Sequence, residues 1–416
     1  MSGSLTSTKD TVNDAPTSVL PAPKSPQLVG DHSHDAKTTG SPAERFTSTN
    51  PDDFAVPKGR EEEWRFTPIR VVRDFFNPIE QSAEVITKVT ADERVEYATR
   101  PMNDPSVGRV LRPADRVSAL AYAHSDEAFV VKVPASVELS EPVQISAEIT
   151  AGKAYHHLVI EAGAFAHATV VIDYTGSGSV AENVEIVVGD SAELTFVAIY
   201  EEGSESVHLA AHALSLGRDA SVRHRVISLG GRVVRVAPSV RYQGQGGSAD
   251  LRGMAFAANN QHHEARLYVD HNTAHCKSNV VYKNGLQGTS ARTVWIGDVR
   301  IRPAAIGTDT FELNRNLLLS DGARADSVPN LEIETGEIAG AGHASATGRF
   351  DDLQLFYLQA RGIPEAVARR LVMRGFFADI IDQIPVEAVR ERLMDAVDQR
   401  LDTATEDDLA VRNETA

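Results

Sequence analysis

The sequence predicts a mainly β protein, a β-helical solenoid followed by a small helical domain. Between residues 128 and 333, short runs of β-branched and apolar residues alternate with Gly, Ser, Asp and Asn, with no helical period between them. Within that stretch Gly-x-x-Ala recurs six times, each time between two strand-like runs. After Phe350 the apolar spacing becomes that of amphipathic helices.

In chain order, residues 1–50 are rich in Ser, Thr, Pro, Asp and Lys and lack periodicity. Such a segment cannot bury enough apolar surface to offset its ordering entropy, and it reads as a disordered tail. A mixed, partly helical region is expected over 51–127. In it the stretch from Arg60 to Pro68 predicts a short helical turn whose Trp64 and Phe66 dock on a neighbouring domain.

The β-helix core is expected over 128–349. Its strands include Phe129–Val133, His157–Ile160, Thr169–Ile172, Val184–Val188 and Leu194–Ile199. The repeats start at Gly163, Gly189, Gly217, Gly246, Gly288 and Gly322, with first steps of 26, 28 and 29 residues. The later steps of 42 and 34 residues would hold insertions. Glycine supplies a backbone conformation closed to other residues, and alanine fits where coils stack closely. A turn recurring at this period marks a solenoid, and strands alone make that solenoid a β-helix. A large β-sandwich is the alternative.

A helical domain is expected over 350–402. Leu353, Phe356 and Tyr357 precede Gly362, a C-cap candidate, and Pro364 then suits a new first turn. Val386, Val389, Leu393 and Val397 give the stripe of a last helix, and 403–416 reads as a solvated acidic tail.

Composition removes several functions. The 416 residues carry 41 Lys+Arg against 58 Asp+Glu, a formal net charge of −17, which disfavours nucleic acid and anionic membrane surfaces as partners. The single cysteine, Cys276, excludes an internal disulfide and any metal centre built from this chain's thiolates alone. No apolar run is long enough to span a bilayer and no signal-peptide pattern opens the chain, so a reducing cytoplasm is the expected location.

Nucleotide and hydrolase motifs are missing. There is no phosphate-binding Gly-x-x-x-x-Gly-Lys-Ser/Thr loop, no Gly-x-Ser-x-Gly elbow and no His-Glu-x-x-His pair. Gly176–Ala181 imitates a dinucleotide fingerprint but leads into another strand, leaving no helix N-terminus for a pyrophosphate. Among the fourteen histidines, His271 and His275 would share a strand face beside Cys276, and read as turn and strand histidines. His343 stands out because Gly340, Ala341, Gly342 and Ala344 leave its imidazole sterically open, although one histidine forms no metal site by itself.

Several separated segments together resemble the SufB/SufD family. They are Glu62–Thr67, Asn314–Ser320, Pro329–Ile333, then His343 with Ala344, Ala346–Gly348, Asp351–Asp352 and Phe356–Ile363. The likeness spans roughly residues 54 to 400. It implies a right-handed parallel β-helix flanked by N- and C-terminal helical regions. Of the two branches, the chain looks like SufD, since SufB proteins are longer and richer in cysteine. The resemblance implies a non-catalytic scaffold subunit for iron–sulfur cluster assembly, paired with a SufB-like paralogue through the β-helix and with a SufC-like ATPase through the C-terminal helices. Family members commonly carry a cysteine two residues before the signature histidine, where this chain has Ala341.

Under that resemblance His343 is the expected cluster or iron ligand at the SufB interface. This chain alone is expected to bind no cofactor stably, sharing at most a transient iron–sulfur cluster with SufB. Phe356, Tyr357, Arg361, Leu371, Phe376, Phe377 and Ile380 are the expected ATPase-facing surface. The rungs near Val294–Ile296 and Leu317–Leu319 are expected to meet SufB. A β-helical carbohydrate-active enzyme and a purely structural solenoid adaptor remain open as other readings.

Overall fold

A computed structural model describes residues 44–349 and 352–414, with side chains through residue 349 and over 355–401. The expected tail over 1–50 therefore lies outside the described residues up to residue 43, as do the side chains of the acidic tail. The β region forms a parallel solenoid of two nine-stranded sheets. Each coil contributes one strand to each sheet.

The first sheet runs in order from Val85–Thr90 and Val143–Ile149 to Asp309–Leu318 and Gly340–Arg349. The second runs from Glu96–Pro101 and Glu127–Val133 to Arg292–Ile301 and Arg324–Ile333. Val85–Thr90 and Glu96–Pro101 pair antiparallel with the first coil and cap that end. All other pairings are parallel and in register, so one coil's side chains stack on the next. At the other end, Arg324–Ile333 and Gly340–Arg349 each pair on one side only among the described residues.

Strand burial follows what covers the outer face. Val143–Ile149 alternates buried and exposed residues, as a sheet with one wet face should. Val207–Leu216 is buried almost throughout because both of its faces are covered.

The coil corners explain the repeat. At seven successive corners between the second and first sheets, one residue adopts a left-handed conformation: Ser136, Phe165, Ser191, Asp219, Gly246, His275 and Gly307. The repeat glycine stands two residues before that position in the early coils. Its role there is close approach: a Cβ on Gly189 would lie 2.6 Å from the backbone nitrogen of Ala164 in the preceding coil. Ala166, Ala192 and Ala220 follow the left-handed residue and are buried in the lumen. Cys276 follows His275 in the same way and is fully buried, so it fills a small-residue corner place. Contrary to the sequence reading, His271 and His275 do not share a strand, since the strand ends at His271 and His275 is the corner.

The expected insertions are absent. Gly288 and Gly322 lie at the opposite edge of the solenoid, after first-sheet strands, so the 42-residue step from Gly246 spans one and a half coils. Coils lengthen gradually instead: stacked His156 and Glu182 are 26 residues apart, Asn284 and Asn316 are 32 apart.

Helical elements cover both outer faces. On the second sheet, α1 (Ile69–Val72) and α2 (Arg116–His124) pack with Trp64, Phe75 and Phe76 against Tyr155, Ala181, Leu209 and Val233. Asp115 caps α2 by accepting from Ser118 N at 2.8 Å. Trp64 is buried against Phe76 and beneath the Arg235 guanidinium, as its docking role requires, whereas Phe66 is half-buried under Arg65.

On the first sheet, α4 (Glu365–Ile381) and α5 (Glu387–Glu414) bury Met373, Phe377, Ile380, Leu393 and Val397 against Val197, Ile227, Met254 and Phe256. The shorter α3 (Asp352–Ala360) precedes them and ends at Gly362, whose φ of +83° provides the expected left-handed cap. Lys283 reaches out of the sheet to Asp379 at 2.7 Å and the Phe376 carbonyl at 2.8 Å, pinning α4. Among the described residues no helix is long and apolar enough to cross a membrane.

Candidate functional site

The last coil carries the open edges and His343. In register, the lumen-facing column of the first sheet reads Leu251, Val280, Glu312, His343. Parallel columns read Ala249, Ser278, Thr310, Ala341 and Ala255, Asn284, Asn316, Thr347. The interior thus passes from apolar to polar over the final coils. Asn316 Nδ2 donates to Asn314 Oδ1, Ser327 Oγ and Thr347 Oγ1 at 2.9–3.0 Å, tying both last strands together.

His343 is exposed at the end of this column, and no hydrogen bond or ion pair to another described residue holds it. Beneath it Glu312 is buried, and neither carboxyl oxygen has a hydrogen-bond partner. Burial, aided by the Asp298 charge, pushes this carboxyl up to about 8, so at neutral pH it is largely a neutral acid. The Trp295 Nε1 donor is also buried without a partner. Both groups close on Gly297, where a Cβ would lie 2.4 Å from Glu312 Oε1 and 2.6 Å from Trp295 Cζ2.

Cys276 is two coils away, its thiol pushed up by burial. The fold does not bring it to His343. Among the described residues no group of three His, Cys, Asp or Glu could hold a metal ion.

The expected ATPase-facing surface divides in two. Phe356, Tyr357 and Leu371 are about half to two-thirds exposed, with Val367 beside them, and Arg361 lies over the Tyr357 ring. Phe377 and Ile380 are completely buried and Phe376 is partly buried against the same cluster, because α4 uses that face to cover the solenoid. These three belong to the intrachain core. The rung Val294–Ile296 is likewise internal: its strand is paired on both sides, and Trp295 points into the lumen. Leu317 also lies on a strand paired on both sides and packs with Leu319 near the α4 cluster.

Sequence reasoning missed a second polar centre in the middle coils. Glu182 accepts from His156 Nδ1 at 2.6 Å, His208 Nε2 at 3.1 Å and the Tyr174 hydroxyl at 2.8 Å. His208 Nδ1 bonds Glu202 at 2.5 Å. Burial alone would depress His208, but Glu202 and Glu182 outweigh it and raise the imidazole to about 9. Burial would raise Glu182, yet His156 and His208 hold it well below the carboxylate range. Further along, Tyr200 bonds His212 Nε2 at 3.0 Å and His212 Nδ1 bonds His224 Nε2 at 2.9 Å. Burial keeps both of those imidazoles neutral, His212 at about 4. The signal was the strand parity: His156, Glu182, His208, His212 and His224 fall on the same parity as the apolar lumen residues of their strands.

A cavity of about 850 Å³ lies elsewhere, under the N-terminal segment, and is lined by Trp64, Arg235, Arg266 and Tyr268. Arg235 there pairs with Asp115 and Glu264, which makes it the anchor of that segment.

Residues 145–376 match the family model described as SUF system FeS cluster assembly, SufBD core domain. An iron–sulfur cluster assembly SufBD family protein of Mycobacterium bovis is 51% identical over 369 residues, covering 86% of this chain and 93% of that protein. The iron–sulfur cluster assembly protein SufD of Escherichia coli is 28% identical over 258 residues, covering 61% and 60%. SufD of Bacillus subtilis is 26% identical over 294 residues, covering 69% and 67%.

Proposed function

The chain belongs to the SufBD family of Suf-system iron–sulfur cluster assembly proteins, and on that premise we propose that it is the SufD-like, non-catalytic scaffold subunit. It pairs with a SufB-like paralogue through its open terminal coil, binds a SufC-like ATPase through α3 and α4, and works in the cytoplasm. The observation that carries this reading is the coincidence of His343 with the unpaired edges of Arg324–Ile333 and Gly340–Arg349. Unpaired strands present rows of N–H and C=O groups that another chain can extend. The small residues around His343 let that chain approach closely.

The cluster is cargo in this scheme. A neutral imidazole is a sound iron ligand and substitutes for one thiolate in known cluster chemistries. With Cys276 buried two coils away, the remaining ligands come from the paralogue. The exposed Phe356, Tyr357, Val367 and Leu371 offer the ATPase an apolar face, and the missing phosphate loop leaves nucleotide hydrolysis to that partner.

The test is co-expression of the full chain with SufB-like and SufC-like partners, followed by native mass spectrometry and iron and sulfide analysis. A three-component complex is expected. His343→Ala should lose cluster at unchanged melting temperature; a normal cluster load in that variant removes the ligand role.

A further inference from the structure

Among the described residues Glu312 is the buried carboxyl with both oxygens unpartnered, whereas Glu202 and Asp398 each leave only one. A buried carboxyl with both oxygens unpartnered costs free energy unless something engages it. The preceding residue in its column is Val280, so stacking does not require an acid here. The following residue in the column is His343. Adjacent strands lie about 4.8 Å apart, so a glutamate carboxyl reaches the imidazole of the next rung on the same face. Gly297, where a Cβ would lie 2.4 Å from Oε1, gives the carboxyl its seat beside the Trp295 ring, whose Nε1 is also unpartnered.

We propose that Glu312 is the positioning residue of His343: its carbonyl oxygen accepts a hydrogen bond from Nδ1–H and fixes the tautomer that aims Nε2 outward at the cluster. The inference rests on the scaffold reading above. Its chemistry is general, since ligating histidines commonly donate their second ring N–H to a carboxyl, which sets ring orientation and ligand basicity. In the free chain the two side chains make no hydrogen bond, and the bond forms when the partner covers the last coil and excludes water from His343.

The test uses the assembled complex with its cluster reduced to a paramagnetic state. Pulsed EPR reads the ¹⁴N coupling of a coordinated imidazole, and a chelator challenge reads cluster retention. Glu312→Leu removes the acceptor, Glu312→Gln keeps one, and Glu312→Met replaces Leu if that variant does not pack. Expected for Leu or Met are an altered ¹⁴N coupling and about tenfold weaker retention, with a melting temperature no lower than wild type; Gln should keep both signatures. Unchanged coupling and retention in Leu or Met overturn the inference, and so does cluster loss that tracks a lowered melting temperature. If His343→Ala itself leaves the ¹⁴N coupling intact, the ligand reading fails first; if His343→Ala abolishes it while Leu changes nothing, only the role of Glu312 fails.

Discussion

His208 and Glu182 meet at 3.1 Å inside the solenoid, both almost wholly buried, and Glu202 holds the other face of the imidazole. With a carboxylate on each ring nitrogen, His208 must carry both protons and a positive charge. Removing it leaves Glu182 with His156 and Tyr174, and leaves the buried Glu202 carboxylate without a side-chain partner among the described residues. His208→Ala should therefore lower stability by about 3–5 kcal/mol, the usual cost of breaking a buried pair. Chemical denaturation of the full chain measures it, and a loss under 1 kcal/mol would mean that the pairing adds nothing net.

The same pair sets a pH window. The folded-state pKa of His208 is raised to about 9 from an ordinary 6.5, so its contribution is complete below 6.5 and disappears as pH climbs through 9. Glu182 is depressed, so its contribution is present above the ordinary carboxylate pKa and disappears in acid. Melting temperature should fall from pH 6.5 to 9 in the native chain. A native melting temperature flat across that range would contradict the charged assignment.

Corner packing gives a different kind of test. Gly189 does not need a left-handed backbone, yet a Cβ there would press on backbone atoms of Gly163 and Ala164. Backbone cannot yield as a side chain does, so Gly189→Ala should destabilise by about 1–3 kcal/mol despite the small change. A neutral result would show that successive corners have slack.

These corners also show how far the sequence was readable. Gly-x-x-Ala at Gly163, Gly189 and Gly217 marked real coil boundaries, because close approach demands the same small residues each time. Beyond Gly246 the pattern moved to the opposite edge, and equal spacing was lost because coils there are longer. Near Cys276 the corner uses Thr273, His275 and Cys276 in place of Gly, a non-Gly residue and Ala, so no text match could find it. His343 was visible from its small neighbours. Glu312 was invisible, since only the register places it beneath His343. The helical face was misjudged for a related reason: apolar spacing finds the stripe, but not whether the solenoid or a partner covers it.

That division of the C-terminal helices is itself testable. Phe377→Ala empties a site packed against Phe256 and Met373 and should cost about 3–5 kcal/mol. Leu371→Ala and Phe356→Ala alter exposed positions and should stay within about 0.5 kcal/mol of wild type. If α3 and α4 dock the ATPase, the two surface variants should weaken its co-purification while the chain melts normally. Equal ATPase capture by both surface variants would place the ATPase elsewhere.

The open coil leads to the last expectation. Gly340–Arg349 is an exposed edge strand of small residues, and Ala344 and Ala346 project from it into solvent. It carries one charged side chain, Arg349 at its end, and no proline within the strand, so little guards it against pairing. The isolated chain should therefore self-associate weakly as its concentration rises, and the paralogue should compete with that association. Lysines at Ala344 and Ala346 place charge on the edge without touching the lumen, so stability should hold while both associations weaken. Sedimentation equilibrium over a hundredfold concentration range, with and without the paralogue, separates the outcomes. A double-lysine variant that still pairs like wild type would move the interface off this strand, and with it the argument that His343 faces the paralogue.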